Sequence, residues 1–209
     1  MSVQPLDMRV IKAFSTPLAT YRIDDCAPLN AELKRIVLAA EQCSPSLGRS
    51  NIGGWRSDNN FLTTSAPALE VLLEHVQSAV MQLIKTTAGE HGFTGYLKIS
   101  GWANVLRNGN YNTIHNHPDS AWSGVYYVDV GSQSEQYPLS GLLELIDPRP
   151  GVDMVSVPGT PFGQPVRIQP EAGLMLLFPS WLQHQVHPYV GGEARISIAF
   201  NVSTAGKVE

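Results

Sequence analysis

From Gly92 onward the chain breaks into short runs rich in β-branched and aromatic residues, punctuated by Gly, Pro, Asn and Asp. YLKISGWANVL, GVYYVDV, GLLELID, MVSV, PVRIQ, GLMLLFP and RISIAFNV follow one another closely, and no helical pattern comes between them. Strands alternating with helices would build a parallel sheet, whereas strands joined by tight turns pair antiparallel. Residues 93–209 are therefore expected to form an antiparallel sandwich or barrel.

The first 92 residues read differently. Leu33, Ile36, Val37 and Ala40 recur at helical spacing and predict a helix from about Pro28 to Gln42. In APALEVLLEHVQSAVMQLIKTTAG, residues Leu69, Leu72, Leu73, Val76, Val80 and Leu83 share one face, so a second helix should end near Gly89. His75 lies beside that stripe and His91 in a turn, and both read as packing or surface residues. No linker or repeat separates the two parts. Residues 1–209 are expected to be a single domain of mainly β with helices (α+β), a helical front with flanking strands over 1–92 covering one sheet of a β core over 93–209.

A chain of 209 residues can bury a core without a metal or disulfide, so any metal would serve function. A net charge of -4 and 14 scattered Lys and Arg provide no basic stripe, and nucleic acid is not an expected partner. No apolar run approaches the roughly 20 residues of a membrane span. The start, MSVQPLDMRVIK, lacks the charged-then-apolar order of a secretory signal. A cytoplasmic setting is expected, with Cys26 and Cys43 reduced, no membrane partner, and a homodimer left open.

The stretch NTIHNHPDSAWSGVYYV carries His115 and His117 one residue apart and Asp119 two further on. In an extended segment the two histidines share a face, a spacing that suits one metal ion, and Pro118 is expected to end the strand and leave Asp119 in a turn. Read alone, this is a metal half-site or a polar loop. Some seventy residues later, GLMLLFPSWLQHQVHPYVGGEARISIAFNV holds His184 and His187 before a strictly alternating strand. Ile196, Ile198, Phe200 and Val202 fall on one face, with Arg195, Ser197, Ala199 and Asn201 on the other. Burying an arginine is costly unless an anion pairs with it, and a carboxylate is its natural partner.

SNIGGWRS, HNHPDSAWSGVYYV, DPRP, FPSWLQH and RISIAFN together resemble a small branch of 2-oxoglutarate/Fe(II)-dependent dioxygenases with a His-x-His-Pro motif. The likeness runs from about residue 50 to residue 202. It implies a double-stranded β-helix (jelly-roll, cupin-like) core, iron, and an oxidoreductase using 2-oxoglutarate and O2 to hydroxylate an unidentified small molecule or peptide. It also implies that His115 and His117 are the first ligand pair and His184 the distal ligand. Arg195 and Ser197 would then hold the far carboxylate of 2-oxoglutarate, with Tyr127 reaching the same group. The family's usual set is two histidines and a carboxylate. HNHPD departs from it and allows either His115, His117 and His184, or Asp119 in place of His115; the turn at Pro118 favours the three histidines. His187 is assigned to the pocket rim or to structure.

Trp55, Tyr111, Trp122 and Trp181 are candidate walls of the substrate pocket. Two other readings share the strands: a cupin-like dioxygenase that binds substrate directly without 2-oxoglutarate, and a non-catalytic jelly-roll binding module.

Overall fold

Alternation along one strand sorts the molecule into two interiors. The computed structural model describes residue 9 and residues 13–88, 95–132, 134–154 and 162–205. In the last strand, β11 (Arg195–Ala205), Ile196, Ile198, Phe200 and Val202 are fully buried on one side, while Arg195, Ser197, Ala199 and Asn201 line a cavity on the other. Strand β11 lies between β4 (Tyr96–Leu106) and β6 (Trp122–Asp129) in an antiparallel sheet of six. The order is completed by β1 (Ala19–Arg22), β9 (Leu174–Pro179) and β3 (Trp55–Arg56), giving β1-β9-β6-β11-β4-β3.

The same parity holds in the neighbours. Ala103, Val105, Tyr126, Met175 and Leu177 join the first interior, while Trp102, Asn104, Val125, Tyr127 and Phe178 face the second. Gly124 on β6 pairs with Phe200 on β11, and a Cβ there would come within 2.3 Å of the Phe200 ring and 2.7 Å of the Leu176 carbonyl. Only glycine allows that approach.

Two helices cover the first interior. Helix α1 (Ala27–Cys43) has Pro28 in its first turn, where a missing N–H costs nothing. It buries Leu33 and Val37, and Asn30 accepts a 2.6 Å hydrogen bond from the Tyr126 hydroxyl. Helix α2 (Pro67–Ala88) buries Leu69, Leu72, Val76, Val80 and Leu83 of the predicted stripe, with Leu73 half-buried at its edge. The second interior is closed by a five-stranded sheet of β2 (Asn51–Ile52), β5 (Tyr111–His115), β10 (His184–Val186), β7 (Leu143–Leu145) and β8 (Val166–Ile168), in that order. Leu143, Leu145, Leu176, Phe178 and Leu182 pack between the sheets. Two antiparallel sheets, one face covered by helices, form the double-stranded β-helix expected above.

The differences from the sequence reading are local. Strand β10, with its short HQV run, carried no periodic signal, because three residues are too few to show one. Strand β5 stops at His115, so His117 is not on it. Of the expected MVSV strand, Met154 ends a 3-10 turn, Val152–Met154, and the rest lies outside the described residues, as do His91 and Gly89. His75 is on the surface, 3.0 Å from the Tyr21 hydroxyl through Nδ1. No helix among the described residues is long and apolar enough to cross a membrane.

Candidate metal and co-substrate site

Strand pairing puts the first two histidines together. His115 on β5 and His184 on β10 are direct cross-strand partners, and their ring centroids are 4.3 Å apart. His117 reaches them from beyond the strand end, where its backbone N–H donates to the Ser180 carbonyl at 2.9 Å. Its ring lies 5.0 Å from that of His115 and 5.1 Å from that of His184. One nitrogen of each imidazole falls within 4.8 Å of the other two.

Backbone carbonyls orient two of the rings. Nδ1 of His115 is 2.7 Å from the Thr113 carbonyl and Nδ1 of His184 is 2.9 Å from the Leu182 carbonyl. Donation from Nδ1 leaves Nε2 as the free lone pair, the arrangement found behind metal-bound histidines. The Ser50 hydroxyl, 3.3 Å away, is the partner of Nε2 in His115. Desolvation, reinforced by the charge of His115, lowers His184 to about 3 and His117 to about 4, and desolvation lowers His115 as well. All three are neutral at physiological pH, which is the ligating form.

Asp119 stands apart from this cluster. It is exposed at the cavity edge with φ 65, in the turn after Pro118, and its carbonyl accepts from the Ser203 hydroxyl at 2.9 Å. The cluster whose ligand atoms lie within 4.8 Å of one another takes in the three histidines and not Asp119.

The histidines open into a cavity of about 620 Å³ between the sheets. On its floor Arg195 is 2% exposed and Ser197 4%. A bulge in β6 at Val128 brings Tyr127 opposite Ser197, and the Arg195 guanidinium carbon lies 5.3 Å from the Tyr127 ring centroid. The Arg195 stem packs on Gly141, where φ is +64 and a Cβ would meet it at 3.1 Å. Burial lowers Arg195 and raises the Tyr127 hydroxyl to about 12. Among the described residues no carboxylate pairs with Arg195, and three buried side-chain polar atoms have no partner: Arg195 Nε, Tyr127 Oη and Asn104 Oδ1. All three residues line this cavity. Orphaned buried polar groups are rare in folded proteins, so their convergence marks a place built for a polar ligand. A carboxylate-bearing molecule satisfies the two donors, and the chemistry of the donor set therefore fits both iron and 2-oxoglutarate.

None of the four proposed aromatic walls lines the cavity. Trp55 and Trp122 have the parity of the helix side: Trp55 pairs with Val105 and donates to the Ser44 carbonyl at 3.0 Å, and Trp122 packs on the helix-side core. Trp181 is 52% exposed on a turn, and Tyr111 is half-buried at the start of β5. The aromatic walls are Trp102, Tyr127 and Phe178. Parity could have found Trp102, which alternates with Ala103 and Val105 and shares a face with Asn104. Arg56 was also missed: it follows core Trp55 and so must face the cavity, where its guanidinium carbon sits 4.5 Å from the Trp102 ring centroid. Desolvation, then the nearby Arg49 charge, lowers Arg56 to about 10. His187 faces away from the cavity and its Nε2 is 3.2 Å from Glu144.

Residues 100–201, a little under half the chain, match a family model described as "Putative 2OG-Fe(II) oxygenase". A Pseudomonas putida prolyl-4-hydroxylase has a similar structure, with a TM-score of 0.64 at 17% identity over 92% of this chain and 95% of that one. A prolyl hydroxylase from Trichoplax adhaerens, solved with a hypoxia inducible factor peptide fragment, has a TM-score of 0.60 at 16% identity, covering 89% of this chain and 83% of its own. HygX from Streptomyces hygroscopicus, solved with nickel and 2-oxoglutarate, has a TM-score of 0.61 at 12% identity, covering 90% and 82%. At such identities the likeness is one of fold. No curated protein sequence matches.

Proposed function

We propose that this chain is a 2OG-Fe(II) oxygenase, a reading supported by the family match over residues 100–201, and that it hydroxylates a small molecule or peptide at the cavity between its two sheets. Iron would be held by His115, His117 and His184. Three protein ligands leave three of six positions open, as an oxygenase of this kind requires. When bound, Fe(II) and 2-oxoglutarate supply oxidative decarboxylation to succinate and CO2, coupled to oxidation of the substrate by O2.

The protein's own groups do the rest. The Thr113 and Leu182 carbonyls hold two imidazoles in the tautomer that presents Nε2. Arg195 takes the far carboxylate of the co-substrate through charge-assisted hydrogen bonds, Tyr127 adds a hydroxyl donor, and Ser197 completes that end. Val125, Leu143 and Phe178 give the cavity an apolar wall that limits water around the reacting groups. The observation that carries this reading is the meeting, in one cavity, of three neutral histidines with a buried arginine that lacks a counter-charge. The first 92 residues belong to the same unit in this reading, since β1, β2 and β3 are members of the two sheets. We place the protein in the cytoplasm, where free Cys26 and Cys43 stay reduced.

The three-histidine set also suits a cupin-like dioxygenase that binds its substrate directly. Anaerobic protein loaded with Fe(II) separates the two. The present reading expects 2-oxoglutarate to raise the Tm and, once air is admitted, to be converted to succinate with one added oxygen on a substrate. Absence of any stabilisation by 2-oxoglutarate in the iron-loaded protein would favour the cupin-like scheme.

A further inference from the structure

Arg195 is not the only cation in the cavity without a counter-ion. Arg56 is 6% exposed, and among the described residues its guanidinium is bonded to neutral oxygens alone: Nη1 donates to the Ser57 carbonyl at 2.9 Å and Nη2 to Asn59 Oδ1 at 2.6 Å. A guanidinium has five N–H donors, so most of this one is uncommitted. Arg49, exposed at the mouth, adds a second positive charge on the same side. Asp58 forms no ion pair with Arg56 among the described residues and accepts instead from the Asn60 N–H at 2.7 Å. Asp119 is the single carboxylate in the cavity wall, against Arg49, Arg56 and Arg195.

This second cation lies near the histidine cluster and apart from the co-substrate pole. Arg56 stacks on Trp102, whose ring is 5.5 Å from that of the metal-site residue His117. Arg56, Asn104 and Ser197 form one row across three adjacent strands, and Arg195 lies two residues further along β11. Two strand spacings and two residues of rise separate the arginine backbones by roughly 12 Å. Fe(II) and dianionic 2-oxoglutarate neutralise each other, so co-substrate binding leaves the positive charge at Arg56 and Arg49 in place.

We propose that Arg56, supported by Asn59 and stacked on Trp102, receives a carboxylate of the substrate to be oxidised, so that the enzyme acts on a carboxylate-bearing small molecule or side chain. The inference rests on the function assigned above. Trp102 supports the guanidinium at 4.5 Å from its ring centroid, and the free N–H donors of Arg56 match the two oxygens of a carboxylate. Arg49 draws the anion to the mouth, and the carboxylate sets the distance between the substrate's reacting carbon and the iron.

The test uses full-length protein loaded anaerobically with Mn(II) and 2-oxoglutarate. Thermal stabilisation is measured with the proteinogenic amino acids, their carboxamides, benzoate, benzamide and phenyl phosphate. At least one carboxylate should raise the Tm where its amide does not, and R56Q should weaken that carboxylate by about 30-fold or more. R56K, which keeps the charge but not the fork, should bind with intermediate affinity and serves also if R56Q does not fold. Acids and amides acting alike, both silent included, would overturn the proposal, as would phenyl phosphate as the sole binder or full affinity in R56Q. Loss of 2-oxoglutarate stabilisation in R56Q but not in Arg195→Ala would make Arg56 the co-substrate anchor and overturn it too. If Mn(II) and 2-oxoglutarate leave wild type unchanged, it is the oxygenase reading that fails; the comparison of acids with amides still decides the role of Arg56.

Discussion

Glu144 and Arg195 are both buried charges on strands of the same fold, and they are buried in opposite ways. Glu144, 8% exposed on the outer face of β7, accepts from Arg167 at 2.7 Å and Gln185 at 2.9 Å, with His187 at 3.2 Å. Desolvation would raise it, but those hydrogen bonds prevail and hold it at about 2. Arg195 is 2% exposed with an orphaned Nε and an aromatic ring for company. A charge whose partners are all present belongs to the structure; one whose partner is missing is waiting for something to arrive. The outside of the five-stranded sheet satisfies its buried charge, and the cavity face of the six-stranded sheet leaves its own unpaired.

The contrast is broken most severely at the metal. His184→Ala should bring iron content in anaerobically reconstituted protein close to zero, with the fold intact by circular dichroism. The imidazole is central to the cluster, within 4.3 Å and 5.1 Å of the other two rings by centroid, and removing it leaves two ligands for a metal that needs three. Stoichiometric iron in that variant would take His184 out of the site.

Arg195→Ala should keep iron and lose 2-oxoglutarate. A desolvated charge-assisted pair is worth about 2 to 5 kcal/mol, or roughly 30- to 5,000-fold in Kd. Because the free protein holds Arg195 without a counter-ion, the variant should be no less stable than wild type when both are ligand-free. Equal 2-oxoglutarate affinity in the two proteins would end the comparison with Glu144.

Glu144→Gln should do the opposite, lowering stability and sparing ligand binding. The expected loss at neutral pH is ~1–2 kcal/mol, moderated because Arg167 is half-exposed. The sign with pH follows from the depressed carboxyl. Its stabilisation is complete above the unfolded value of about 4.3 and fades as pH falls toward 2, so the gap between variant and wild-type Tm should close in acid. A gap that stays constant down to pH ~3 would mean packing, not charge, accounts for it.

These two kinds of burial also mark what was legible beforehand. The arrangement of β11 can be read because its first eight residues, 195–202, alternate without a break, and Arg195 and Ser197 stand out as polar residues in a strand fit for a core. The tryptophan walls are harder to read, because a tryptophan suits either interior and only the parity of its own strand decides, as it does for Trp102 on β4. Trp55 and Arg56 make the point as neighbours on a two-residue strand, one in the helix-side core and the other in the cavity. Nothing in so short a run shows which residue faces which way until β4 pairs with it. Strand spacing predicts that His117 shares a face with His115, but the chain has already left the strand at that point, and its backbone is held instead by the bond to Ser180.

The smallest expected effect is also the most discriminating for the ligand set. HNHPD offers a carboxylate that a two-histidine site would use, and the turn at Asp119 places it outside the three-ring cluster. Alanine is a poor probe there, because a Cβ in the left-handed region costs roughly 1–2 kcal/mol and would confuse metal loss with strain. Glycine removes the carboxylate and accepts the same backbone without penalty. Asp119→Gly should therefore retain nearly full iron, while His115→Ala, which removes the cross-strand partner of His184, should lose it. A two-histidine, one-carboxylate site reverses the order: Asp119→Gly would come out empty and His115→Ala loaded. Iron content of the two variants, measured side by side after identical anaerobic reconstitution, separates the schemes without reference to any substrate.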